Sequence, residues 1–165
     1  MQRSQLERAA ERFMSLARAR SQTVATAESC TAGALVNLLA EMPLAGETLK
    51  GGFVVYTKDA KTSVLGVPAE MLEEQTAVSA AVAEAMARGG LERSCADLSI
   101  AITGVAGPEP DEDGNPVGLV YVAAAHRDGR CRVVEHRLGE RPKEVICAAA
   151  MHSGLEMATD LLERP

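Results

Sequence analysis

The chain has 165 residues, the size of one domain, so we predict a single domain over residues 1–165. Its 17 basic residues are outnumbered by 23 acidic ones, and only 2 Tyr and 2 Phe are aromatic, which excludes the basic stripe and stacking rings of a nucleic-acid binder. The 4 cysteines form no C-x-x-C pair, and neither a signal peptide nor an apolar run of about 18 residues is present. We therefore expect reduced thiols, no membrane partner and a cytoplasmic location.

Helical and strand patterns alternate along the chain. The first half is predicted to contain a helix over residues 4–20 with a capping box at Ser4 and Glu7, a strand over 23–27, a helix over 34–41, a loop at Pro43 and Gly46, a strand over 51–56 and a helix over 58–65. The predicted elements that follow are a turn from Pro68 to Leu72, a helix from an N-cap at Ser79 to Gly89-Gly90, and a strand over 98–103. The chain then continues with a loop over 104–116, strands over 118–125 and 130–138, and a helix over 142–162. The last two strands flank Asp128-Gly129, which favours an antiparallel hairpin. The fold class expected is α/β, a three-layer α/β/α sandwich with a mixed, mostly parallel sheet of about five strands.

Ser29 is the strongest candidate for chemistry in the sequence. It stands where the first strand should pass into a helix, and the amides after it, at Cys30, Thr31 and Ala32, would be unsatisfied helix-start donors. Such donors bind a phosphate or an oxyanion. The alternative is that Ser29 or Thr31 is simply an N-cap.

A second candidate follows the next strand, which ends at Tyr56 and leads to Lys58 and Lys61. A partly desolvated lysine can lose its proton and act as the base for a serine nucleophile. The alternative is a solvated helix face.

A third candidate is the glycine-punctuated segment ITGVAGP at 102–108, because ligands in open α/β sheets lie beyond the carboxyl ends of strands. Arg141, before the last helix, could pair with a phosphate, or else cap a neighbouring element. The acidic residues of the long loop predict a solvated loop rather than a metal site, and no dinucleotide or P-loop motif occurs, so we expect neither a metal nor a cofactor.

Three segments together carry a specific resemblance. They are TAESCTAG at 26–33, GFVVY at 52–56 with Lys61, and TGVAGP at 103–108 continuing to PVG at 116–118. In this order and spacing the chain resembles the CinA C-terminal domain family, the nicotinamide-nucleotide amidohydrolases, from about Leu6 to Leu162. The resemblance implies a three-layer fold and hydrolysis of the carboxamide of nicotinamide mononucleotide to nicotinic acid mononucleotide and ammonia, a step of pyridine nucleotide salvage. The pyrophosphatase-linked domain of the longer family members is not expected.

By this resemblance the catalytic residues are Ser29 as nucleophile, Lys61 as its base, and Tyr56, which orients Lys61 or relays the proton. The implied substrate-binding residues are Glu28, Cys30, Thr31, Gly33, Thr103, Gly104, Gly107, Pro108 and Arg141. The chain departs from the family pattern at Ala32, at Thr57-Lys58, at Glu140, and after Arg141, where a further arginine has no counterpart. These departures predict altered phosphate recognition.

Two other functions fit the same residues. One is a nucleotide-binding module that acts through a protein partner without catalysis, and the other is an amidohydrolase for a different small amide. The expected partner is a small-molecule mononucleotide substrate, and the alanine-rich helices predict a homodimer or a higher homo-oligomer.

Overall fold

The elements alternate between strands and helices, as the sequence predicts. The computed structural model describes residues 3–164, with side chains from residue 5 onward, so the capping box at Ser4 lies outside the described side chains. In chain order the elements are α1 (Arg3–Ala19), β1 (Val24–Glu28), α2 (Ala34–Ala40), α3 (Ala45–Thr48), β2 (Leu49–Val54), α4 (Lys58–Leu65), α5 (Ala69–Gln75), α6 (Ala80–Ser94), β3 (Leu98–Gly104), β4 (Leu119–His126), β5 (Cys131–Arg137) and α7 (Lys143–Glu163).

One open sheet holds all five described strands, in the order β2-β1-β3-β4-β5. Strand β1 pairs in parallel with β2 and with β3, whereas β4 is antiparallel to both β3 and β5. All five residues of β1 are buried, as expected for a central strand covered on both faces. The predicted mixed α/β sheet and its terminal hairpin are confirmed.

Helices cover both faces of the sheet. One core cluster joins α1, α2 and α7 to the side chains of Val24, Ile100 and Val122, and the other joins α4, α5 and α6 to Ala27 and Ala101. Residues of one strand alternate between the two clusters because successive side chains point to opposite faces. The result is the three-layer sandwich that the sequence predicts. None of the helices described within residues 3–164 is long and apolar enough to cross a membrane.

Helix α6 does not end at Gly89-Gly90 as predicted, but continues to Ser94. Both glycines serve close packing rather than termination. A Cβ at Gly89 would overlap the carbonyl oxygen of Leu65, and a Cβ at Gly90 would overlap the hydroxyl of Ser99. The helix therefore lies closer to α4 and β3 than any larger residue would allow.

Two further boundaries differ from prediction. The segment around Gly46, predicted as a loop, forms the short helix α3, and strand β2 starts at Leu49 and ends at Val54. Tyr56 consequently lies beyond the strand, in the connection to α4.

The carboxyl ends of β2, β1 and β3 lie side by side at one edge of the sheet. After β1 the chain enters α2 on one face, whereas after β2 it enters α4 on the other face. A crevice opens where the connections of neighbouring strands diverge in this way. All three motifs found in the sequence follow these strands.

Candidate active site

Ser29 and Lys61 are in direct contact. Ser29 is the first residue after β1, and its amide donates to the carbonyl oxygen of Ile102 at 2.9 Å, so the backbone of β3 fixes its position. Lys61 Nζ donates to Ser29 Oγ at 2.9 Å and to the carbonyl oxygen of Val55 at 3.0 Å. The serine and the lysine, 32 residues apart in sequence, thus form a dyad.

The lysine of the dyad is buried, with only 1% of its surface exposed. Its amine contacts a hydroxyl and a carbonyl oxygen, and none of the described carboxylates forms an ion pair with it. Burial lowers the pKa of Lys61 to about 8, because the ammonium form loses its hydration without gaining a countercharge. About a tenth of Lys61 is therefore neutral at pH 7, and this fraction is able to accept a proton from Ser29.

Helix α4 presents Lys61 to Ser29. Its N-cap is Thr57, whose hydroxyl accepts from the amide of Ala60 at 3.1 Å and whose carbonyl accepts from the amide of Lys61 at 3.1 Å. Threonine is a favoured N-cap residue, so the departure at Thr57 leaves the lysine in place.

Glu28 faces away from Ser29, into the junction between β1 and α2. Its carboxylate is fully buried and accepts from the amides of Gly33 and Leu35 at 3.0 Å, from the amide of Val36 at 2.8 Å, and from the hydroxyl of Thr26 at 3.0 Å. A carboxylate satisfies the orphan amides at a helix start and complements the helix dipole. Glu28 and Gly33, predicted to bind substrate, thus interact with each other and hold the start of α2.

The turn after Ser29 has an unusual backbone. Ala32 has φ +50° and Gly33 has φ +92°, so two successive residues are left-handed. Glycine takes this conformation freely, and alanine takes it with strain. At Ala32, where the chain departs from the family pattern, an alanine therefore occupies a backbone conformation that favours glycine.

Cys30 is not a second nucleophile. Its thiol is buried, and burial raises its pKa to about 12, which keeps it protonated. Among residues 3–164, neither its amide nor that of Thr31 donates to another residue, whereas the amide of Ala32, also predicted to be unsatisfied, donates to the carbonyl oxygen of Ser29 at 3.0 Å. Free amides beside the Ser29 nucleophile are the kind of donor that an oxyanion requires.

A cavity of about 400 Å³ opens beside the dyad. Of the residues predicted to act on or bind substrate, it is lined by Ser29, Cys30, Tyr56, Lys61, Thr103, Gly104 and Gly107. Thr103 does not offer its hydroxyl freely, because that hydroxyl donates to the carbonyl of Ala77 at 2.7 Å. The wall of the cavity also contains residues that were not among the predicted substrate-binding residues, including Lys58, Val78, Lys143 and the acidic residues of the loop after β3.

Tyr56 lies at the rim of this cavity, with 65% of its surface exposed. The Val55 carbonyl, rather than the Tyr56 hydroxyl, orients the amine of Lys61 in this structure. Tyr56 is therefore placed to contact a ligand instead of the lysine.

Arg141, Thr31 and Pro108 do not line the cavity. Arg141 donates from Nε to the carbonyl oxygen of Leu138 at 3.0 Å and borders a separate depression with Arg137 and Val145. The cation that reaches the cavity from this part of the chain is Lys143, the first residue of α7. Its only sequence signal was its position two residues after the motif arginine.

A serine held against a desolvated lysine, at the carboxyl ends of the parallel strands, defines a class of site: a nucleophile with its own base in an open α/β fold. The profile of the CinA C-terminal domain matches residues 6–162. The chain belongs to the CinA C-terminal domain family.

Relatives and solved structures agree with this membership. The chain is 44% identical over 124 residues to a CinA-like protein of Synechococcus sp. (strain RCC307), a match that covers 75% of this chain and 30% of that protein. It is 49% identical over 108 residues to a CinA-like protein of Mycolicibacterium gilvum, a match that covers 66% of this chain and 26% of that protein. The chain thus matches less than a third of the length of either relative. The competence/damage inducible protein of Agrobacterium tumefaciens has a TM-score of 0.91 and 38% identity, with 96% of each chain covered. A competence-damaged protein (CinA) superfamily protein of Escherichia coli has a TM-score of 0.88 and 36% identity, over 94% of this chain and 90% of its own.

Proposed function

We propose that the chain is an amidohydrolase that converts nicotinamide mononucleotide to nicotinic acid mononucleotide and ammonia. The observation that carries the proposal is the contact of 2.9 Å between Ser29 Oγ and the buried Nζ of Lys61, whose pKa burial lowers to about 8. The membership of the CinA C-terminal domain family supports the choice of substrate, since the sequence motifs resemble those of its amidohydrolases.

Acylation starts from neutral Lys61. The amine takes the hydroxyl proton of Ser29 while Oγ attacks the carboxamide carbon, and the carbonyl oxygen becomes an oxyanion. The amide of Cys30 is the nearest free donor in sequence to the nucleophile, and one such donor contributes about 3 kcal/mol in enzymes where it has been removed. The Lys61 ammonium then gives its proton to the leaving nitrogen, so that ammonia departs and an ester to Ser29 remains.

Deacylation repeats the proton transfers with water. Neutral Lys61 takes a proton from water as the water oxygen attacks the ester carbon, and the ammonium returns that proton to Ser29 Oγ as the ester bond breaks. The products are the carboxylic acid, which then releases its proton to solvent, and the regenerated dyad. Burial of Lys61 serves both halves, because only a lysine with a lowered pKa can accept and return a proton near neutral pH.

The volume of the cavity suits a small-molecule ligand such as a mononucleotide. Its volume of about 400 Å³ lies within the range of small-molecule sites, and its wall combines an exposed tyrosine with backbone amides and charged side chains. Tyr56 at the rim offers a ring face to a pyridine.

Ser29→Ala tests the nucleophile. We expect ammonia release from nicotinamide mononucleotide to fall by at least about a thousandfold, because Ser29 carries the only described side-chain hydroxyl that is hydrogen-bonded to the amine of Lys61. The matched control is Ser63→Ala on the exposed side of α4, which should keep full turnover. Circular dichroism of both variants checks the fold.

The outcomes separate the alternative functions. Retained turnover in Ser29→Ala would refute the mechanism. A wild-type protein that binds the nucleotide but releases no ammonia would instead be a binding module. Turnover of other small amides, with none of nicotinamide mononucleotide, would keep the dyad chemistry and change the substrate.

A further inference from the structure

The charged side chains that line the cavity include both signs. They are Lys58, Lys61, Lys143, Glu109, Asp111, Glu112 and Asp113. A charge that is already satisfied by another side chain contributes little to the recognition of a ligand, because the ligand would have to displace its partner. The ion pairs of the structure therefore show which of these charges remain for a ligand.

Lys58 is committed to the loop after β3. Its Nζ lies 2.7 Å from Asp113 Oδ1 and 3.5 Å from Glu112 Oε1, and the other oxygen of Asp113 accepts from the amide of Ala77 at 3.3 Å. The hydrogen bond to Asp113 raises the pKa of Lys58 and lowers that of the carboxyl, as expected for a mutual pair. Lys58 thus pairs with Asp113, lies within ion-pair distance of the largely exposed Glu112, and fastens the loop to α4.

Asp111 and Lys61 are also committed. Asp111 accepts from the amides of Asp113 and Asn115 and from the side-chain amide of Asn115, at 2.8–3.0 Å, so its carboxylate shapes the loop. Lys61 belongs to the dyad with Ser29.

Two charges of the wall remain, Lys143 and Glu109. Within residues 5–164, neither forms an ion pair with another side chain, and the two do not pair with each other. Both side chains are exposed, so holding them in place requires no burial of an isolated charge. Among the charged wall residues that the structure describes, Lys143 and Glu109 are thus the cation and the carboxylate that have neither an ion pair nor a side-chain hydrogen bond.

We infer that the cavity selects a dipolar ligand, with Lys143 binding the phosphate and Glu109 facing the cationic pyridinium ring. The inference depends on the proposed function for its substrate, and it assigns specificity to two residues outside the sequence motifs. A phosphate placed near Lys143 gains a charge-assisted contact at the start of α7, and the N-substituted pyridinium carries the positive charge that a carboxylate attracts. A neutral amide or a ligand with a single charge leaves one of these two groups without a counterpart.

Binding to a Ser29→Ala background, measured by calorimetry, tests the two assignments without interference from turnover. The probes are nicotinamide mononucleotide, which has both charges, nicotinamide riboside, which has only the cationic ring, and reduced nicotinamide mononucleotide, which has the phosphate and a neutral ring. Added to this background, Lys143→Met should weaken the two phosphorylated probes by about tenfold and leave the riboside unchanged. Glu109→Gln should weaken the mononucleotide and the riboside by about threefold and leave the reduced form unchanged.

Matched controls remove the same charges elsewhere. Lys50→Met on β2 and Glu92→Gln on α6 change exposed residues that do not line the cavity, and neither should alter any of the three affinities. Unchanged binding of the mononucleotide to Lys143→Met would overturn the phosphate assignment, and equal weakening of all three probes by Glu109→Gln would overturn the ring assignment.

This test can fail independently of the proposed function. The expected pattern of affinities, with no ammonia from the wild-type protein, would retain the dipolar site and refute hydrolysis. Ammonia release with affinities unaffected by either substitution would retain hydrolysis and refute the dipolar site. Absence of binding of the mononucleotide to the unmodified protein would overturn both.

Discussion

Lys61 combines two properties that oppose each other in an ordinary protein: it is almost completely buried, and it has no countercharge. Burial of an unpaired ammonium destabilises a fold, and the same burial makes the amine a usable base. Burial of Lys61 thus lowers the stability of the fold and raises the reactivity of the amine, which is typical of a lysine in a functional site rather than of a structural lysine.

This exchange gives a prediction on stability. Burial lowers the pKa of Lys61 from 10.5 to about 8, so between these pH values the unfolded chain binds more protons and stability rises with pH. Below pH 8 the folded state bears the full cost of about 3 kcal/mol, offset in part by the two hydrogen bonds of the amine.

Lys61→Met should therefore unfold at higher urea concentration than the wild type at pH 7, with the difference in unfolding free energy falling by about 3 kcal/mol between pH 8 and pH 10.5. The measurement is a series of urea unfolding curves across this range. Lys50→Met, at an exposed position, should show no such pH dependence. A difference that is constant with pH would mean that Lys61 is not desolvated.

At the scale of elements, the junction between β1 and α2 depends on Glu28. Its carboxylate accepts three backbone amides and a hydroxyl, and thereby closes the turn that carries Ser29. Strand alternation could have indicated this role, because Glu28 and Ser29 are adjacent and must face opposite sides of the sheet. Glu28 thus positions Ser29 through the turn that follows β1.

Glu28→Gln should destabilise the fold by about 3 kcal/mol, because the new amide group offers donors where four donors already converge. Thermal or urea unfolding measures the loss. Glu74→Gln, on the exposed face of α5, is the control and should change stability by less than about 0.5 kcal/mol. Equal stability of Glu28→Gln and wild type would contradict the role of the carboxylate.

At the scale of the whole molecule, the layers approach each other through small residues. Gly89 and Gly90 bring α6 against the end of α4 and against β3. The position of α4 in turn sets the distance between Lys61 and Ser29, so the close packing of this layer also supports the dyad.

Gly89→Ala should therefore destabilise the protein by about 2 kcal/mol or more, since the added Cβ meets backbone that cannot rotate away. Gly46→Ala in α3 is the matched control, because nothing lies within 4 Å of its Cβ, and helix propensity should make it neutral or more stable by at most about 1 kcal/mol. Differential scanning calorimetry compares the two. A Gly89→Ala variant as stable as Gly46→Ala would contradict the close packing of α6 against the end of α4.

Local pattern and motif were enough to place most elements, the central sheet and the pair Ser29 and Lys61. The spacing of apolar residues reflects which face of each helix or strand is buried, and the motifs lie where strands end and helices begin, so both can be recognised in the sequence. The end of α6 was predicted wrongly because a glycine pair looks the same whether it stops a helix or lets one pack closely.

The sequence by itself determined the fold class, the family resemblance and the candidate dyad. The tertiary structure alone decided which charges reach the cavity, since Lys143 lines it and Arg141 lies outside it. It also decided that Lys58 forms an ion pair with Asp113, 55 residues away in sequence. The physical reason is that a charge acts on what is near it in space. Pairing between distant segments decides which charges are cancelled within the protein and which are left for a ligand.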